Sequence, residues 1–316
     1  MKPEILVMAA SPSASVMAQL EQHFTCHHVW QVPPEGRAAF IGGVAPEVRA
    51  VATTGMAGIG AALAAQLPRL EIVAVNGIGV DAVDFDALRP RGIRVTNTPG
   101  VLTDDVADLA VALLLAAARR IPALDAYVRG GQWQAGVPVK PARALRGKVA
   151  GIYGFGRIGQ AVAARLAAFG MQTRYWQPNA KAGVAVPRAG SLVELARDSD
   201  YLVLCAPGGP ATRNTVDAAV LDALGPEGTL VNIARGSLVD EPALVAALAE
   251  GRLGAAALDV FAEEPSVPAA LAALPNVVLT PHVGSLTVET RHAMGQLVVD
   301  NLLAHFSGKP LLTPVA

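Results

Sequence analysis

The chain has 316 residues, of which 52% are hydrophobic and 16% charged, and its formal net charge is −1 at pH 7. This length predicts about two domains, and so apolar a composition excludes a disordered chain. Because there is no block of basic residues, the sequence also argues against a nucleic-acid partner.

The apolar runs and the cysteines indicate where the protein works. The helical run Leu109–Ala118 has ten uncharged residues, whereas a membrane-spanning helix needs about 20, so we expect no membrane partner. The N-terminal apolar run Ile5–Ala10 is too short for a signal peptide. Cys26 and Cys205 form no disulfide framework, and no histidine lies at metal-ligand spacing. We therefore expect a cytoplasmic protein without a metal.

The first hundred residues alternate between short apolar runs and helical stretches. The predicted strands are Ile5–Ala10, Ala50–Thr53, Ile72–Val75 and Ile93–Thr96. The predicted helices are Ser15–His23 and Gly58–Leu67. Short apolar runs without polar alternation are typical of strands buried on both faces. The alternation with helices therefore predicts parallel βαβ units.

A long apolar helix and an irregular segment follow. The helix is predicted from Asp104 to Ile121, and it lies either between domains or at a subunit contact. Residues 128–147 are rich in glycine and proline and form a linker or an arm. In the first hundred residues, the histidines His23, His27 and His28 are interpreted as lying near a helix end and a turn.

A second alternating series begins at Lys148 and ends in a helix at Thr287–Phe306. Its predicted strands are 149–153, 173–176, 201–205, 229–233, 255–259 and 277–280. The final helix has no partner strand in this series, so it is expected to return to the first domain. The predicted fold class is α/β, with two doubly wound domains.

A glycine loop opens the second series. Gly154, Gly156 and Gly159 follow a strand and precede a helix, in the spacing G-x-G-x-x-G. The first glycine permits the tight turn, the second lets the backbone approach a pyrophosphate, and the third allows close packing of helix on strand. Exposed N–H groups at the helix start favour the anion. The context predicts a dinucleotide site, and the alternative is an ordinary structural turn.

The end of the next strand bears on the choice of dinucleotide. An NAD site usually has an acidic residue there, about 20 residues beyond the glycines. This chain has Gln177, Pro178, Asn179 and Lys181 in that stretch. Gln177 and Asn179 can donate hydrogen bonds to the cofactor, and Lys181 can supply charge. Because no carboxylate repels a 2′-phosphate and Lys181 adds positive charge, the sequence favours NADP and leaves NAD open. The alternative is that Lys181 is a solvated loop lysine.

Three functional side chains each follow a predicted strand of the second series. Arg235, Glu264 and His282 should meet at the carboxyl edge of the sheet, where ligands bind. Reduction of a 2-oxo acid needs a cation for the carboxylate, a proton donor and a carboxylate that orients this donor. Arg235 suits the first role, His282 the second and Glu264 the third. Each residue alone also has an alternative interpretation. Arg235 would then be a surface arginine, Glu264 an acidic turn residue and His282 a core histidine.

Four segments in order resemble one family, the D-isomer-specific 2-hydroxyacid dehydrogenases. They are the glycine loop, NIARGSLVDE (232–241), DVFAEEP (259–265) and PHVGS (281–285). Residues 92–121 and 276–315 are especially similar to the hydroxyphenylpyruvate reductase and glyoxylate/hydroxypyruvate reductase branch. Pro178 stands where these reductases often have an arginine.

The resemblance implies a role for each matching residue. Arg235 would bind the substrate carboxylate, Glu264 would be the partner of His282, and His282 would be the acid/base. Asp259 would contact the nicotinamide amide. Backbone amides in residues 76–79, with Ile78 and Gly79 as substrate-binding residues, would hold the substrate carboxylate. The further implied cofactor contacts are Phe155, Gly156, Arg157, Ile158, Ala206, Pro207, Thr212, Ile233, Ala234 and Gly284.

The resemblance also implies an organisation and an activity. Residues 1–99 with 287–316 would form a flavodoxin-like substrate domain, and residues 100–286 a dinucleotide-binding domain. Residues 100–147 would carry a dimerisation helix and arm. The expected activity is NAD(P)H-dependent reduction of a small 2-oxo acid to a D-2-hydroxy acid by a homodimer. The alternatives are a dinucleotide-sensing corepressor-like protein and a formate- or phosphite-type dehydrogenase.

Overall fold

The structure is a computed structural model that describes residues 2–11 and 13–315. The chain divides into two units, Met1–Leu102 with Ser285–Ala316 and Thr103–Gly284. The first unit is therefore discontinuous in sequence, because the chain returns to it after completing the second.

The elements are numbered in chain order. The strands are β1 (Glu4–Val7), β2 (Thr25–His28), β3 (Val48–Thr54), β4 (Ile72–Asn76), β5 (Arg94–Thr96), β6 (Val149–Tyr153), β7 (Gln172–Trp176), β8 (Tyr201–Leu204), β9 (Thr229–Asn232), β10 (Ala255–Leu258) and β11 (Val277–Leu279). The helices are α1 (Ala14–His23), α2 (Arg37–Val44), α3 (Ala61–Gln66), α4 (Phe85–Leu88), α5 (Thr103–Ala118), α6 (Ile121–Arg129), α7 (Arg157–Ala168), α8 (Leu192–Arg197), α9 (Ala218–Leu224), α10 (Glu241–Ala249), α11 (Ala269–Ala272) and α12 (Val288–Phe306). Short 3-10 helices cover Val29–Gln31, Pro34–Gly36, Arg89–Arg91 and Gly236–Leu238.

The first unit is built on a parallel sheet in the order β2-β1-β3-β4-β5. This is the flavodoxin-like doubly wound order, as predicted. Strand residues such as Ile5 and Ile72 are fully buried, since both faces of the sheet are covered. Helix α12 covers one face, where Val299 and Leu302 pack with Ile5 and Ile72.

The second unit is built on a six-stranded parallel sheet in the order β11-β10-β9-β8-β6-β7. The chain starts at β6, adds β7 on one side and then crosses to β8 on the other. Strand order therefore reverses between β6 and β8, which is where ligands bind in doubly wound sheets. Each of the six strands lies within one residue of its predicted bounds, and the predicted fold class is confirmed.

Several elements of the first unit differ from the prediction: β1 ends at Val7 and not at Ala10, and β2, α2 and α4 were not predicted. Residues 25–28 form strand β2, whereas His27 and His28 were interpreted as part of a turn. The strand reads TCHH, pairs with β1 only and is partly exposed, so it lacks the apolar run of a buried strand. Helix α2 was also not predicted, because its eight residues include Gly42 and Gly43, which are poor helix formers.

The long helix predicted over Asp104–Ile121 is two helices. Helix α5 ends at Ala118, Arg120 has a left-handed φ of 55°, and α6 begins at Ile121. Pro122 lies in the first turn of α6, a position that its missing N–H does not disturb. The apolar face of α5 is buried within the second unit, against α7, β9 and β10. The irregular segment therefore begins after Arg129, two residues beyond its predicted start.

Candidate active site

The glycine loop between β6 and α7 is shaped by close backbone packing. Gly154 has a φ of +91°, and a Cβ atom there would lie 2.5 Å from the amide nitrogen of Ala206. A Cβ atom on Gly159 would overlap the carbonyl oxygen of Gly154. At Gly156, by contrast, a Cβ atom would meet nothing within 4 Å. The first and third glycines are therefore required by the fold, while Gly156 faces open space.

The start of α7 offers N–H groups to an anion. Gly156 is the N-cap residue, and no side chain caps this end of the helix. The backbone N–H of Gln160 donates to the carbonyl oxygen of Gly156 at 3.1 Å. The N–H groups of Arg157 and Ile158 precede this bond and so point out of the helix end. An uncapped helix start beside open space fits the pyrophosphate of a dinucleotide.

Phe155 and Gln177 join the glycine loop to the turn after β7. The Phe155 ring stacks on Tyr175 with a 4.6 Å centroid separation and is 2% exposed. Its N–H donates to Oε1 of Gln177 at 2.9 Å, and Nε2 of Gln177 donates to the carbonyl oxygen of Asn179 at 2.8 Å. Both polar ends of the Gln177 amide are thus engaged within the protein. Gln177 therefore braces this turn beside the glycine loop.

A basic residue that the sequence analysis missed lies on the same turn. Arg188 donates from Nε and Nη2 to the carbonyl oxygen of Gln177, at 3.2 and 3.0 Å, and from Nη2 to that of Pro178 at 2.9 Å. Its backbone forms a parallel bridge with Tyr175. The sequence gives one signal for this residue, an arginine in a stretch without acidic residues. Its bridge to β7, however, is a tertiary contact that the sequence does not reveal. Lys181 is partly buried and its backbone N–H donates to the Tyr175 hydroxyl at 3.1 Å.

The segment after β8 borders the glycine loop from the other side. The N–H of Cys205 donates to the carbonyl oxygen of Tyr153 at 2.7 Å. The hydroxyl of Thr212 donates to the carbonyl oxygens of Pro207 and Gly209, at 2.8 and 3.2 Å. Thr212 therefore closes the loop that starts at Ala206, beside Gly154.

Asn232 shapes the turn that carries Arg235. Its Oδ1 atom accepts from the N–H of Ala234 at 3.0 Å, and its Nδ2 atom donates to the carbonyl oxygen of Arg235 at 2.9 Å. A Cβ atom on Gly236 would overlap the backbone of Phe261. The loops that follow β9 and β10 are therefore in direct contact, which places the half-buried Arg235 beside the loop of Glu264. Ile233 and Ala234 are only 7% and 8% exposed.

Glu264 and His282 form a hydrogen-bonded pair. The distance between Nδ1 of His282 and Oε2 of Glu264 is 2.6 Å, and the other carboxylate oxygen accepts from the N–H of Phe261 at 3.1 Å. The His282 side chain is 32% exposed and that of Glu264 16%. The carboxylate therefore lies behind the imidazole, and Nε2 is the ring nitrogen left to face a substrate.

The charge of Glu264 is held by its surroundings. Burial alone would raise the pKa of Glu264, but the hydrogen bond and charge of His282, the Phe261 N–H and the positive charge of Arg235 together lower the pKa below its usual value. Glu264 therefore stays ionised at neutral pH, with its negative charge beside Nδ1 of His282.

Asp259 fixes the loop that carries His282. Its side chain is buried, and Oδ1 accepts from the hydroxyl of Thr280 at 2.6 Å and the N–H of Val283 at 2.8 Å. Oδ2 accepts from the N–H of Gly284 at 2.9 Å. The N–H of His282 donates to the carbonyl oxygen of Asp259 at 2.8 Å, and His282 has a left-handed φ of 54°. Asp259 thus sets the direction of the imidazole, and its contact with nicotinamide stays a prediction.

The predicted substrate residues of the first unit lie on the loop after β4. The N–H of Gly77 donates to the hydroxyl of Thr98 at 3.0 Å, and Nδ2 of Asn97 donates to the carbonyl oxygen of Ile78 at 2.8 Å. A Cβ atom on Gly55 would lie 2.8 Å from the carbonyl oxygen of Gly79. These contacts hold the loop in place at the carboxyl edge of the first sheet.

Comparison with known proteins identifies the family. The model of the D-isomer specific 2-hydroxyacid dehydrogenase NAD binding domain matches residues 111–284. The chain belongs to the D-isomer-specific 2-hydroxyacid dehydrogenases. The matched residues include the glycine loop, Arg235, Glu264 and His282.

Individual dehydrogenases of this kind match nearly the whole chain. Hydroxyphenylpyruvate reductase from Plectranthus scutellarioides is 50% identical over 310 residues, and glyoxylate/hydroxypyruvate reductase A from Arabidopsis thaliana is 48% identical over 310 residues; each match covers 98% of both chains. A structure of the NADPH-dependent glyoxylate/hydroxypyruvate reductase from Sinorhizobium meliloti with NADP and malonate is 42% identical, with a TM-score of 0.90, and covers 100% of this chain and 97% of the other.

Two negative findings apply to residues 2–11 and 13–315 of this dehydrogenase. Within that range, no three side chains of His, Cys, Asp or Glu cluster to hold a metal ion. In the same range, no helix combines the length and the apolar character that crossing a membrane requires.

Proposed function

We propose that this protein is an NADPH-dependent reductase of small 2-oxo acids: glyoxylate, hydroxypyruvate or hydroxyphenylpyruvate. The observation that carries the proposal is the 2.6 Å pair of His282 and Glu264. It stands at the carboxyl edge of a sheet whose first loop fits a dinucleotide, and Arg235 is near enough for its charge to act on Glu264.

The three side chains divide the work of the reduction. A reduced nicotinamide, held by the loops of the second unit, would supply the hydride for the carbonyl carbon of the oxo acid. His282 holds a proton at Nε2 and releases it to the carbonyl oxygen, which becomes the hydroxyl of the product. Glu264 stabilises the charged imidazole before this transfer. Arg235 binds the substrate carboxylate with its planar fork of donors and polarises the adjacent carbonyl.

The remaining site residues hold the two ligands. We assign the pyrophosphate to the N–H groups of Arg157 and Ile158, and the rest of the dinucleotide to the loops at Ala206–Thr212 and Ile233–Ala234. Asp259 and Gly284 would border the nicotinamide. In the first unit, the amides of Ile78 and Gly79 would bind the substrate carboxylate, which makes this unit the substrate domain and residues 103–284 the dinucleotide domain.

Preference for NADP over NAD is part of the proposal. It is supported by the absence of a carboxylate at residue 177, where one would repel a 2′-phosphate. It is also supported by the relative from Sinorhizobium meliloti, which is described as NADPH-dependent and as bound to NADP.

We further propose a cytoplasmic homodimer that pairs through α6 and the segment after it. Every residue of α6 is at least partly exposed, and apolar side chains are exposed here in unusual number. They are Ile121, Val128, Trp133, Val137 and Val139, with exposed fractions of 53, 52, 71, 46 and 49%. Exposed apolar patches mark contact surfaces. Light scattering of the purified protein would give twice the 32.4 kDa chain mass for a dimer.

A steady-state screen tests the activity. Glyoxylate, hydroxypyruvate, hydroxyphenylpyruvate and 2-ketogluconate are each offered with NADPH and with NADH, and loss of absorbance of the reduced nicotinamide is followed. We expect turnover on at least one acid with NADPH ahead of NADH. Tight dinucleotide binding without turnover on any oxo acid would favour the corepressor-like alternative. Oxidation of formate or phosphite would favour the formate- or phosphite-type dehydrogenase.

A further inference from the structure

The turn after β7 lacks the usual means of binding a 2′-phosphate. The amide of Gln177 is engaged at both ends, with Phe155 and Asn179. Pro178 has neither a backbone N–H nor a polar side chain. Yet the turn stands at the strand end where a dinucleotide presents its adenosine ribose, about 20 residues beyond the glycine loop. If NADP is the cofactor, either Lys181 or a residue from outside this turn must supply the cation.

Arg188 reaches this turn from outside it. Its Nε and Nη2 atoms donate to the carbonyl oxygens of Gln177 and Pro178. Its backbone is pinned on both sides, because the N–H of Tyr175 donates to Pro187 at 3.0 Å and the N–H of Ala189 donates to Tyr175 at 2.9 Å. The guanidinium is thus held in place over the turn, while the side chain as a whole stays exposed.

In the part of the chain that the structure describes, no carboxylate pairs with Arg188, and Nη1 donates no hydrogen bond. Arg174 on β7 differs, since it pairs with Asp198 and Glu194. The sequence from 172 to 193 contains no acidic residue. A fixed guanidinium whose Nη1 group is left for a ligand is suited to a phosphate dianion, to which it can donate charge-assisted hydrogen bonds.

We propose that Arg188 binds the 2′-phosphate of NADP and sets the preference for this cofactor, in place of the arginine that Pro178 replaces. This inference rests on the proposed dinucleotide-dependent function and names the residue that selects the dinucleotide. The contacts with Gln177 and Pro178 orient the guanidinium, and the cofactor phosphate completes its hydrogen bonds.

The test measures binding without any oxo acid, so that it is independent of turnover. Dissociation constants for NADP⁺, NAD⁺, 2′,5′-ADP and 5′-AMP are determined by calorimetry for the wild type, Arg188→Gln, Arg188→Lys and Arg197→Gln. Arg197 is an exposed arginine at the end of α8 and controls for the change in net charge. Circular dichroism confirms that each variant is folded.

We expect Arg188→Gln to weaken NADP⁺ and 2′,5′-ADP by about tenfold to a hundredfold, the factor for loss of one charge-assisted hydrogen bond. NAD⁺ and 5′-AMP should change less than about twofold, because they lack the 2′-phosphate. Arg188→Lys should lose less NADP⁺ affinity than Arg188→Gln, and Arg197→Gln should match the wild type. The wild-type preference for NADP⁺ should shrink at high salt.

Two results would overturn the proposal. Equal weakening of NADP⁺ and NAD⁺ in both Arg188 variants would show that Arg188 only braces the turn. Unchanged NADP⁺ affinity in Arg188→Gln would place the 2′-phosphate elsewhere. Neither result bears on whether the wild type reduces glyoxylate, so failure of this inference and failure of the proposed function are separate outcomes.

Discussion

The carboxylate of Glu264 lies 2.6 Å from Nδ1 of His282, and the same carboxylate has a lowered pKa. One charged group therefore fixes the direction of the imidazole ring and places a negative charge beside it. The pair works as a unit, since the less exposed carboxylate supports the more exposed imidazole. Substitution of either Glu264 or His282 therefore tests the role of the pair.

The Glu264→Gln variant should change the pH profile. Gln keeps the size of the side chain but removes the negative charge, so the protonated imidazole loses its stabilisation. In the direction of oxo-acid reduction, the alkaline limb of the kcat profile should move to lower pH. Steady-state rates from pH 5 to pH 9 measure this shift, and an unchanged profile would mean that Glu264 does not support the proton donor.

The Glu264→Gln substitution should also change the free energy of unfolding. Because the folded-state pKa of Glu264 lies below the ordinary value of 4.5, its contribution is fully present above pH 4.5 and is lost as the pH falls through the folded-state pKa. Urea unfolding of the wild type and Glu264→Gln should therefore show a difference at pH 7 that disappears in acid. A difference that grows in acid would contradict the assigned direction.

Arg235→Lys should impair substrate binding although it keeps the charge. A lysine is a point charge and cannot reproduce the planar fork that meets a carboxylate with two hydrogen bonds. We expect KM for the oxo acid to rise and kcat to fall, while the dissociation constant for NADPH stays close to that of the wild type. Unchanged KM and kcat would remove Arg235 from the substrate site.

Two glycines of one loop should respond differently to alanine. At Gly159 a Cβ atom would overlap the carbonyl oxygen of Gly154, so Gly159→Ala should lower Tm. At Gly156 a Cβ atom meets nothing within 4 Å, so Gly156→Ala should fold with near-normal Tm but bind NADP⁺ more weakly. Thermal unfolding and calorimetry separate the effects; normal NADP⁺ affinity in Gly156→Ala would place the pyrophosphate away from this residue.

Both cysteines should be unreactive in the folded protein. Burial raises the pKa of the Cys205 thiol to about 12, and burial with the nearby charge of Glu21 raises the pKa of Cys26 to about 11. Because the thiolate is the reactive form, a thiol reagent at pH 8 should label neither residue before unfolding and both afterwards. Rapid labelling of Cys205 in the native state would contradict its burial beside the glycine loop.

The sequence predicts the second sheet well and the first unit less well, for physical reasons. Strands such as β8 and β9 are buried on both faces, and burial of this kind produces an apolar run that a pattern can reveal. Strand β2 lies at an edge and carries His27 and His28, so no such run exists. The break between α5 and α6 depends on a left-handed Arg120, which composition does not reveal.

Some residues of the site can be predicted from the sequence, whereas others are revealed only by the structure. Arg235, Glu264 and His282 each follow a strand directly, so parallel topology alone predicts that they share an edge. Arg188 reaches its turn through a bridge to Tyr175 of β7, and only the folded chain brings it there. Asp259 was expected to bind cofactor, but its bonds to the His282 loop become visible only in the structure.

The central claim is that His282 delivers the proton, and turnover of His282→Ala tests it most directly. With glyoxylate and NADPH at saturation, we expect kcat to fall by about 10²–10⁴, the usual contribution of a general acid, while NADPH still binds. His292→Ala, which changes an exposed histidine of the first unit, should retain wild-type kcat. Full turnover by folded His282→Ala would contradict the account.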